Sequence, residues 1–170
     1  MSKGPVRLVV AAFPVHPASV IVPATATGRS PKFENPHSFS AFPSAETLET
    51  ARPGKCPFLT GIERLYLPMA HGEGNFVCRA PWILKGLEQA GQIVLRYVDA
   101  EGKAGPYPVN PNGSQDDVAG LCDVTGRVLG IMPHPERHVL PTHHPRWTRL
   151  GLAAEGEGLK VFRNAVAFFG

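Results

Sequence analysis

Short apolar runs, separated by turn-forming residues, predict four β-strands in the last two thirds of the chain. These runs lie at residues 62–68, 92–98, 118–124 and 127–132, and each has the length of a strand in a folded domain. Thr125 and Gly126 stand between the last two runs and predict a hairpin turn. The pattern therefore predicts four strands, the last two of them joined as a hairpin.

Two further segments show helical signals. Residues 82–90 predict a short helix, because Pro81 suits a first helical turn and Gly91 suits a C-terminal stop. A second helix is predicted to begin near Gly156. Its apolar residues recur at helical spacing and predict a core-facing stripe made of Leu159, Phe162, Ala165, Val166 and Phe169.

The first 53 residues differ in composition from the rest. Proline recurs among Ala, Ser, Thr and Val, and it blocks both helical and strand hydrogen bonding. Val6–Ala12 predicts one strand, and the remainder shows neither periodicity. We therefore expect an irregular Pro/Ala-rich segment at residues 1–53, and a folded domain at residues 54–170.

Composition limits the classes of function. The 170 residues suffice for one domain with a core. A net charge of +3, with scattered Lys and Arg, argues against nucleic acid as a partner. Apolar runs too short to span a bilayer argue against a membrane partner. Three cysteines without a C-x-x-C pair, and a start unlike a signal peptide, favour a cytoplasmic protein with reduced thiols.

The most informative stretch follows the fourth predicted strand. Pro133 and Pro135 end the strand, and they place His134 and Glu136 in a stiff loop directly after it. A histidine that is oriented by a carboxylate provides two members of a nucleophilic triad. The alternative is that this loop is a solvated turn without catalytic function.

The triad lacks an obvious nucleophile. Cys122 lies in a G-L-C-D-V sequence that resembles a G-x-C-x-G nucleophile elbow, but the last glycine is absent. An elbow is a strand-to-helix turn, whereas a hairpin follows Cys122, so we interpret this thiol as a buried apolar residue. Cys56 precedes a proline, and Cys78 precedes Arg79, which favours a lower thiol pKa, but neither lies in an elbow pattern.

A metal site is another function that these residue types allow. Histidines and a glutamate cluster at residues 134–144, but prolines interrupt this segment and the spacing matches no standard zinc site. We therefore predict no bound metal. A metal-binding protein that uses the histidines of residues 138–144 stays open as a weaker alternative.

Four sequence blocks resemble one enzyme family when they are taken together. The blocks are LPMAHGEGNFVCR, QIVLRYVD, NPNGSQDDVAGLCDVTGRVLGIMPHPERHV and GLKVFRNAV, and the resemblance covers Cys56 to about Phe168. They resemble the glutaminase subunits of phosphoribosylformylglycinamidine synthase, which are class I glutamine amidotransferases. The resemblance implies a three-layer α/β sandwich of the flavodoxin-like amidotransferase type, of which this chain would lack the N-terminal half.

The resemblance also implies residue roles. His134 would be the catalytic base and Glu136 would orient it. His71 and Glu73 in the H-G-E-G block, together with Asn112 and Ser114 in the N-P-N-G-S block, would bind substrate or contact a partner. The family places its nucleophilic cysteine in its N-terminal half, whereas the first 53 residues here contain no cysteine.

The implied activity is the hydrolysis of glutamine. The ammonia would pass to a synthetase subunit, which converts formylglycinamide ribonucleotide to its amidine in purine biosynthesis. ATP and magnesium are expected on that synthetase partner, with no cofactor in this chain. The alternative is a truncated, inactive amidotransferase fragment that acts only as a binding module. Without an elbow cysteine, we expect no meaningful glutaminase activity from the chain alone.

Overall fold

The computed structural model describes residues 7–10, 44–69 and 75–170. The strands in these ranges are β1 (Arg7–Val10), β2 (Ser44–Thr50), β3 (Arg64–Met69), β4 (Ile93–Val98), β5 (Val118–Cys122) and β6 (Val128–Ile131). The α-helices are α1 (Pro81–Gln89), α2 (Trp147–Leu150) and α3 (Leu159–Phe169). Single 3-10 turns occupy Pro57–Leu59, Gln115–Asp117, Pro135–His138 and Pro141–His143.

The strands of the described ranges form one mixed sheet in the order β1-β6-β5-β4-β2-β3. Only the β1–β6 pair among them is parallel, and the other neighbours are antiparallel. All four strands predicted between residues 62 and 132 are confirmed, with shifts of one or two residues at their ends. Helix α1 is also confirmed, and it ends where Gly91 adopts a φ of +66°, a conformation that glycine accepts without strain.

Strand β2 corrects the prediction of an irregular segment over residues 1–53. Ser44–Thr50 lies between β3 and β4 and pairs with both. Leu48 is fully buried, and the Thr50 hydroxyl donates a 2.6 Å hydrogen bond to the carbonyl oxygen of Ile62. The strand contains a single large apolar residue, Leu48, and lies in a proline-rich region, so it shows no alternation of apolar and polar residues that could be recognised. The predicted strand at Val6–Ala12 is confirmed as β1.

One hydrophobic core lies against the sheet in the described part of the chain. It includes Leu48, Phe58, Leu65, Leu67, Leu95, Tyr97, Leu129, Ile131 and Val161. A mixed sheet with helices packed on it confirms the predicted α/β class. Within these ranges, no helix has the length and apolarity needed to cross a membrane.

Helix α3 packs on the 3-10 turn Pro57–Leu59. The rings of Phe58 and Phe169 lie 5.7 Å apart, and the Asn164 side-chain amide donates to the Phe58 carbonyl oxygen at 3.0 Å. The core-facing stripe is partly different from the predicted one. Val161 is fully buried, whereas Val166 is 70% exposed, because the face that meets the core repeats every four residues from Val161.

Strand direction brings several loops to one end of the sheet. Strands β3, β4 and β6 run in the same direction, and β5 runs opposite to them. The carboxyl ends of β3, β4 and β6 therefore lie at the same end of the sheet as the beginning of β5. The segments that leave β6 and enter β5 contain the His-Pro-Glu and Asn-Pro-Asn-Gly-Ser motifs, which places both motifs at this end.

Candidate active site

His134 and Glu136 form a direct side-chain pair just beyond the end of β6. His134 immediately precedes the 3-10 turn Pro135–His138, in which Pro135 occupies the first position. The turn brings the Nδ1 atom of His134 to 2.6 Å from the Oε1 atom of Glu136. His134 is buried, whereas the Glu136 side chain is 45% exposed. The sequence prediction that these two residues act together is thus consistent with their geometry.

The backbone of His134 is fixed as well as its ring. Its N–H donates a 2.8 Å hydrogen bond to the carbonyl oxygen of Pro68 on β3. Strands β3 and β6 are not neighbours in the sheet, so this bond joins the segment that leaves β6 to a strand with which β6 does not pair. The ring and the backbone of His134 are therefore held by two different parts of the fold.

The other ring nitrogen of His134 is unusual. Nε2 is buried and has no hydrogen-bond partner among the described residues. Because Nδ1 donates its hydrogen to Glu136, Nε2 of the neutral ring is an acceptor. Buried polar atoms are nearly always paired, so an unpaired one points to a group that binds there. A hydroxyl or thiol donor would satisfy this atom, and a neutral Nε2 can remove its proton.

Hydrogen bonds from the chain after His134 cover the free edge of β3. The Tyr66 N–H donates to the Glu157 carboxylate at 2.7 Å, and the Tyr66 carbonyl oxygen accepts from Nδ1 of His138 at 2.7 Å. Pro68 has no N–H to leave unpaired at this edge. The roles of Glu157 and His138 were missed in the sequence. The E-G-E-G run at residues 155–158 is a local signal for Glu157 alone.

The Asn-Pro-Asn-Gly-Ser loop is braced by its own side chains. Ser114 is buried, and its hydroxyl accepts a 3.0 Å hydrogen bond from the Phe76 N–H. Oδ1 of Asn112 accepts from the Ser114 N–H at 3.1 Å, and Nδ2 of Asn112 donates to the Tyr97 hydroxyl at 3.4 Å. These contacts give Asn112 and Ser114 a role in loop shape. Their role toward substrate or a partner stays a prediction, and His71 and Glu73 lie outside the described residues.

The three cysteines of the chain are buried. Cys122 pairs in the sheet register with Leu129, toward the other end of β6 from His134. A hydrogen bond from the Cys56 thiol lowers the pKa of Cys122 and, together with burial, raises the pKa of Cys56. Burial raises the pKa of Cys78. None of these thiols is hydrogen-bonded to His134 in the described structure.

The remaining histidines of the segment form an aromatic cluster. The rings of Tyr66 and His144 stack at 4.6 Å, and the His138 ring meets His144 edge-on at 5.7 Å. Burial lowers the pKa of His144, and the neighbouring His138 and Arg146 lower it further. Across the described ranges, no three His, Cys, Asp or Glu side chains converge in a way that could hold a metal ion.

A family model and individual relatives match this chain. The model of the CobB/CobQ-like glutamine amidotransferase domain matches residues 20–169. The chain belongs to this amidotransferase family. The family match begins well before Cys56, so the likeness extends further toward the N-terminus than the sequence blocks indicated.

Relatives within the amidotransferase family carry one name. The phosphoribosylformylglycinamidine synthase subunit PurQ of Dehalococcoides mccartyi is 49% identical over 112 residues, which are 65% of this chain and 42% of that protein. The PurQ subunit of Methanococcus maripaludis is 40% identical over 126 residues, which are 67% and 46% of the two chains. The resemblance found in the sequence is confirmed. The chain spans less than half the length of these relatives.

A solved structure has the same fold. A chain in the structure of PurLQS from Thermotoga maritima superposes with a TM-score of 0.52 at 28% identity. The superposition covers 76% of this chain and 48% of the other. The predicted fold type is therefore supported by a structural neighbour as well as by the sheet and helices described above.

Proposed function

We propose that this chain belongs to the glutaminase component of a phosphoribosylformylglycinamidine synthase. Ammonia released from glutamine would serve the ATP-dependent conversion of formylglycinamide ribonucleotide to its amidine in purine biosynthesis. The observation that carries the proposal is the buried Nε2 of His134, which has no hydrogen-bond partner among the described residues, in a ring that Glu136 holds at 2.6 Å. The PurQ name of the relatives indicates the pathway.

The His134–Glu136 pair suits acyl transfer from an amide. Glu136 orients the ring and keeps the proton on Nδ1, so that Nε2 can take a proton from a thiol. The thiolate then attacks the side-chain carbonyl carbon of glutamine, and the protonated ring gives its proton to the leaving ammonia. Nε2 next removes a proton from the water that hydrolyses the thioester to glutamate.

The thiol in this scheme comes from a polypeptide segment outside the 170 residues. Cys122 is turned toward Cys56, Cys78 is held at the loop that precedes β5, and neither bonds to His134. The segment would belong to the same protein or to a separate chain. The proposed site is complete only when that segment places its thiol at Nε2 of His134.

The proposed partner is the synthetase subunit of the same enzyme. ATP and magnesium would bind to that subunit. The structural neighbour comes from a structure named PurLQS, which supports a multi-subunit assembly. Purine biosynthesis would place the assembly in the cytoplasm.

The proposal is tested by glutamate release from glutamine. The assay would use the purified chain alone, the chain with the synthetase subunit, and the chain with a segment that carries the elbow cysteine. We expect turnover only when the thiol is supplied, and a loss of about 10²–10⁴-fold in His134→Ala, the usual contribution of a general base. His143→Ala is the matched control, because His143 is exposed in the same segment. Equal turnover in both variants would contradict the proposal.

A binding module without catalysis is the second candidate. It is favoured by the distance in the sheet register between Cys122 and the His134 end of β6. This candidate predicts that the chain binds the synthetase subunit in size-exclusion chromatography, and that no mixture hydrolyses glutamine. Turnover that depends on His134 would exclude it.

A further inference from the structure

The segment at residues 155–158, here called the strap, lies directly against the turn that carries His134 and Glu136. The N–H of Gly158 donates to the carbonyl oxygen of His138 at 2.9 Å, and the N–H of Gly156 donates to that of Val139 at 3.2 Å. Both contacts join the strap to the end of the 3-10 turn Pro135–His138. The strap therefore holds the turn from the side of helix α3.

The approach of the two backbones leaves no room for side chains. A Cβ atom built on Gly156 would lie 2.2 Å from the His138 carbonyl oxygen, and one on Gly158 would lie 2.0 Å from that of Pro135. Atoms of the backbone cannot move away as a flexible side-chain end can. The two glycines are thus the residues that allow this contact.

Each acidic residue of the strap is anchored to a different element. The Glu157 carboxylate accepts the Tyr66 N–H of strand β3 at 2.7 Å, and it bridges 91 residues of sequence. The Glu155 carboxylate pairs with Arg163 on helix α3. Only Glu157 of these two connects the strap to β3, the strand whose Pro68 carbonyl oxygen fixes the His134 backbone.

We propose that Glu157 is a positioning residue for His134. Its bond to Tyr66 holds the strap at the edge of β3 and confines the His134 turn between the two. The orientation of the His134 ring, and with it the position of Nε2, is thereby fixed. Glu157 does not contact the reacting atoms in this proposal. A positioning role for Glu157 rests on the proposed glutaminase function. The effect of Glu157 on the His134 turn is measurable without any turnover.

The first test measures amide hydrogen exchange of the full chain, with NMR as the readout. Loss of a charged hydrogen bond in Glu157→Ala should speed exchange of the His134 N–H, which donates to Pro68, by on the order of tenfold or more. Glu157→Asp retracts the carboxylate and should behave in the same way, whereas Glu157→Gln keeps an acceptor oxygen and should restore most of the protection. Glu155→Ala is the matched control in the same strap, and it should leave the His134 N–H unchanged.

The second readout is the His134 Nδ1–H resonance, which reports the bond to Glu136. It should shift or broaden in Glu157→Ala and Glu157→Asp, but not in Glu155→Ala. Unchanged exchange and an unchanged resonance in Glu157→Asp would overturn the proposal, even where Glu157→Ala does not fold. In the assembly that hydrolyses glutamine, Glu157→Ala and Glu157→Asp should lower kcat and leave KM unchanged. Loss of exchange protection without glutamine turnover in the wild type would refute the proposed function and leave the effect on the turn standing.

Discussion

Gly158 provides a sharp test of the packing behind the candidate site. Its backbone has φ −62° and ψ −24°, which alanine adopts without strain, so any cost of Gly158→Ala must come from contact. The added Cβ would lie 2.0 Å from the Pro135 carbonyl oxygen and 2.8 Å from the Pro135 Cα. Ordinary contact begins at 3.4 Å, so the strap and the turn would have to separate by about 1.4 Å.

Overpacking of this kind costs about 1–3 kcal/mol. Alanine also reduces the entropy of the unfolded chain, which offsets about 0.4–1 kcal/mol. We therefore expect Gly158→Ala to lower the free energy of unfolding by about 1–2 kcal/mol, and to lower Tm by roughly 2–8 °C for a chain of this size.

The assay is urea unfolding followed by far-UV circular dichroism, with Gly86→Ala as the matched control. Gly86 lies inside helix α1 with no atom within 4 Å of its added Cβ, so alanine there should stabilise the protein by roughly 1 kcal/mol. Opposite signs for the two substitutions are the expected result. A Gly158→Ala protein as stable as the wild type, beside a stabilised Gly86→Ala protein, would refute the close contact between the strap and the turn.

Two further predictions concern the core and the histidine cluster. Leu129→Ala should lower the free energy of unfolding, measured in urea, by about 2–5 kcal/mol, because Leu129 is fully buried. The exposed Leu150 is the control, and Leu150→Ala should change this free energy by less than about 0.5 kcal/mol. Equal losses in the two variants would contradict the assigned core. Burial lowers the pKa of His144, so the unfolded chain binds the proton more readily, and stability should fall as pH drops below about 6.5. His144→Gln should reduce that slope and His143→Gln should not, which unfolding midpoints across this pH range would show.

The parts of the site that lie close together in the sequence were predictable. His134 and Glu136 are two residues apart, and the prolines around them fix the loop, so their pairing needs little from the rest of the fold. The strands β3 to β6 and helix α1 were predictable for the same reason. Each has its own periodicity and its own turn or stop signal, such as Gly91.

Contacts across long sequence distances could not be predicted. Glu157 and Tyr66 are 91 residues apart, and no local pattern marks a carboxylate that will accept a backbone N–H of an edge strand. The hydrogen bond between the Cys56 and Cys122 thiols likewise joins two residues that no local pattern pairs.

Local sequence patterns were enough to predict the elements with strong periodicity, the His–Glu pair and the family to which the chain belongs. The folded chain was needed to show the place of β2 between β4 and β3, the face of α3 that meets the core, and the anchoring of His134 to Pro68. The physical reason is the range of the interactions. Periodicity and turn chemistry act over a few residues, whereas strand order, edge pairing and close glycine contacts depend on which distant segments the folded chain brings together.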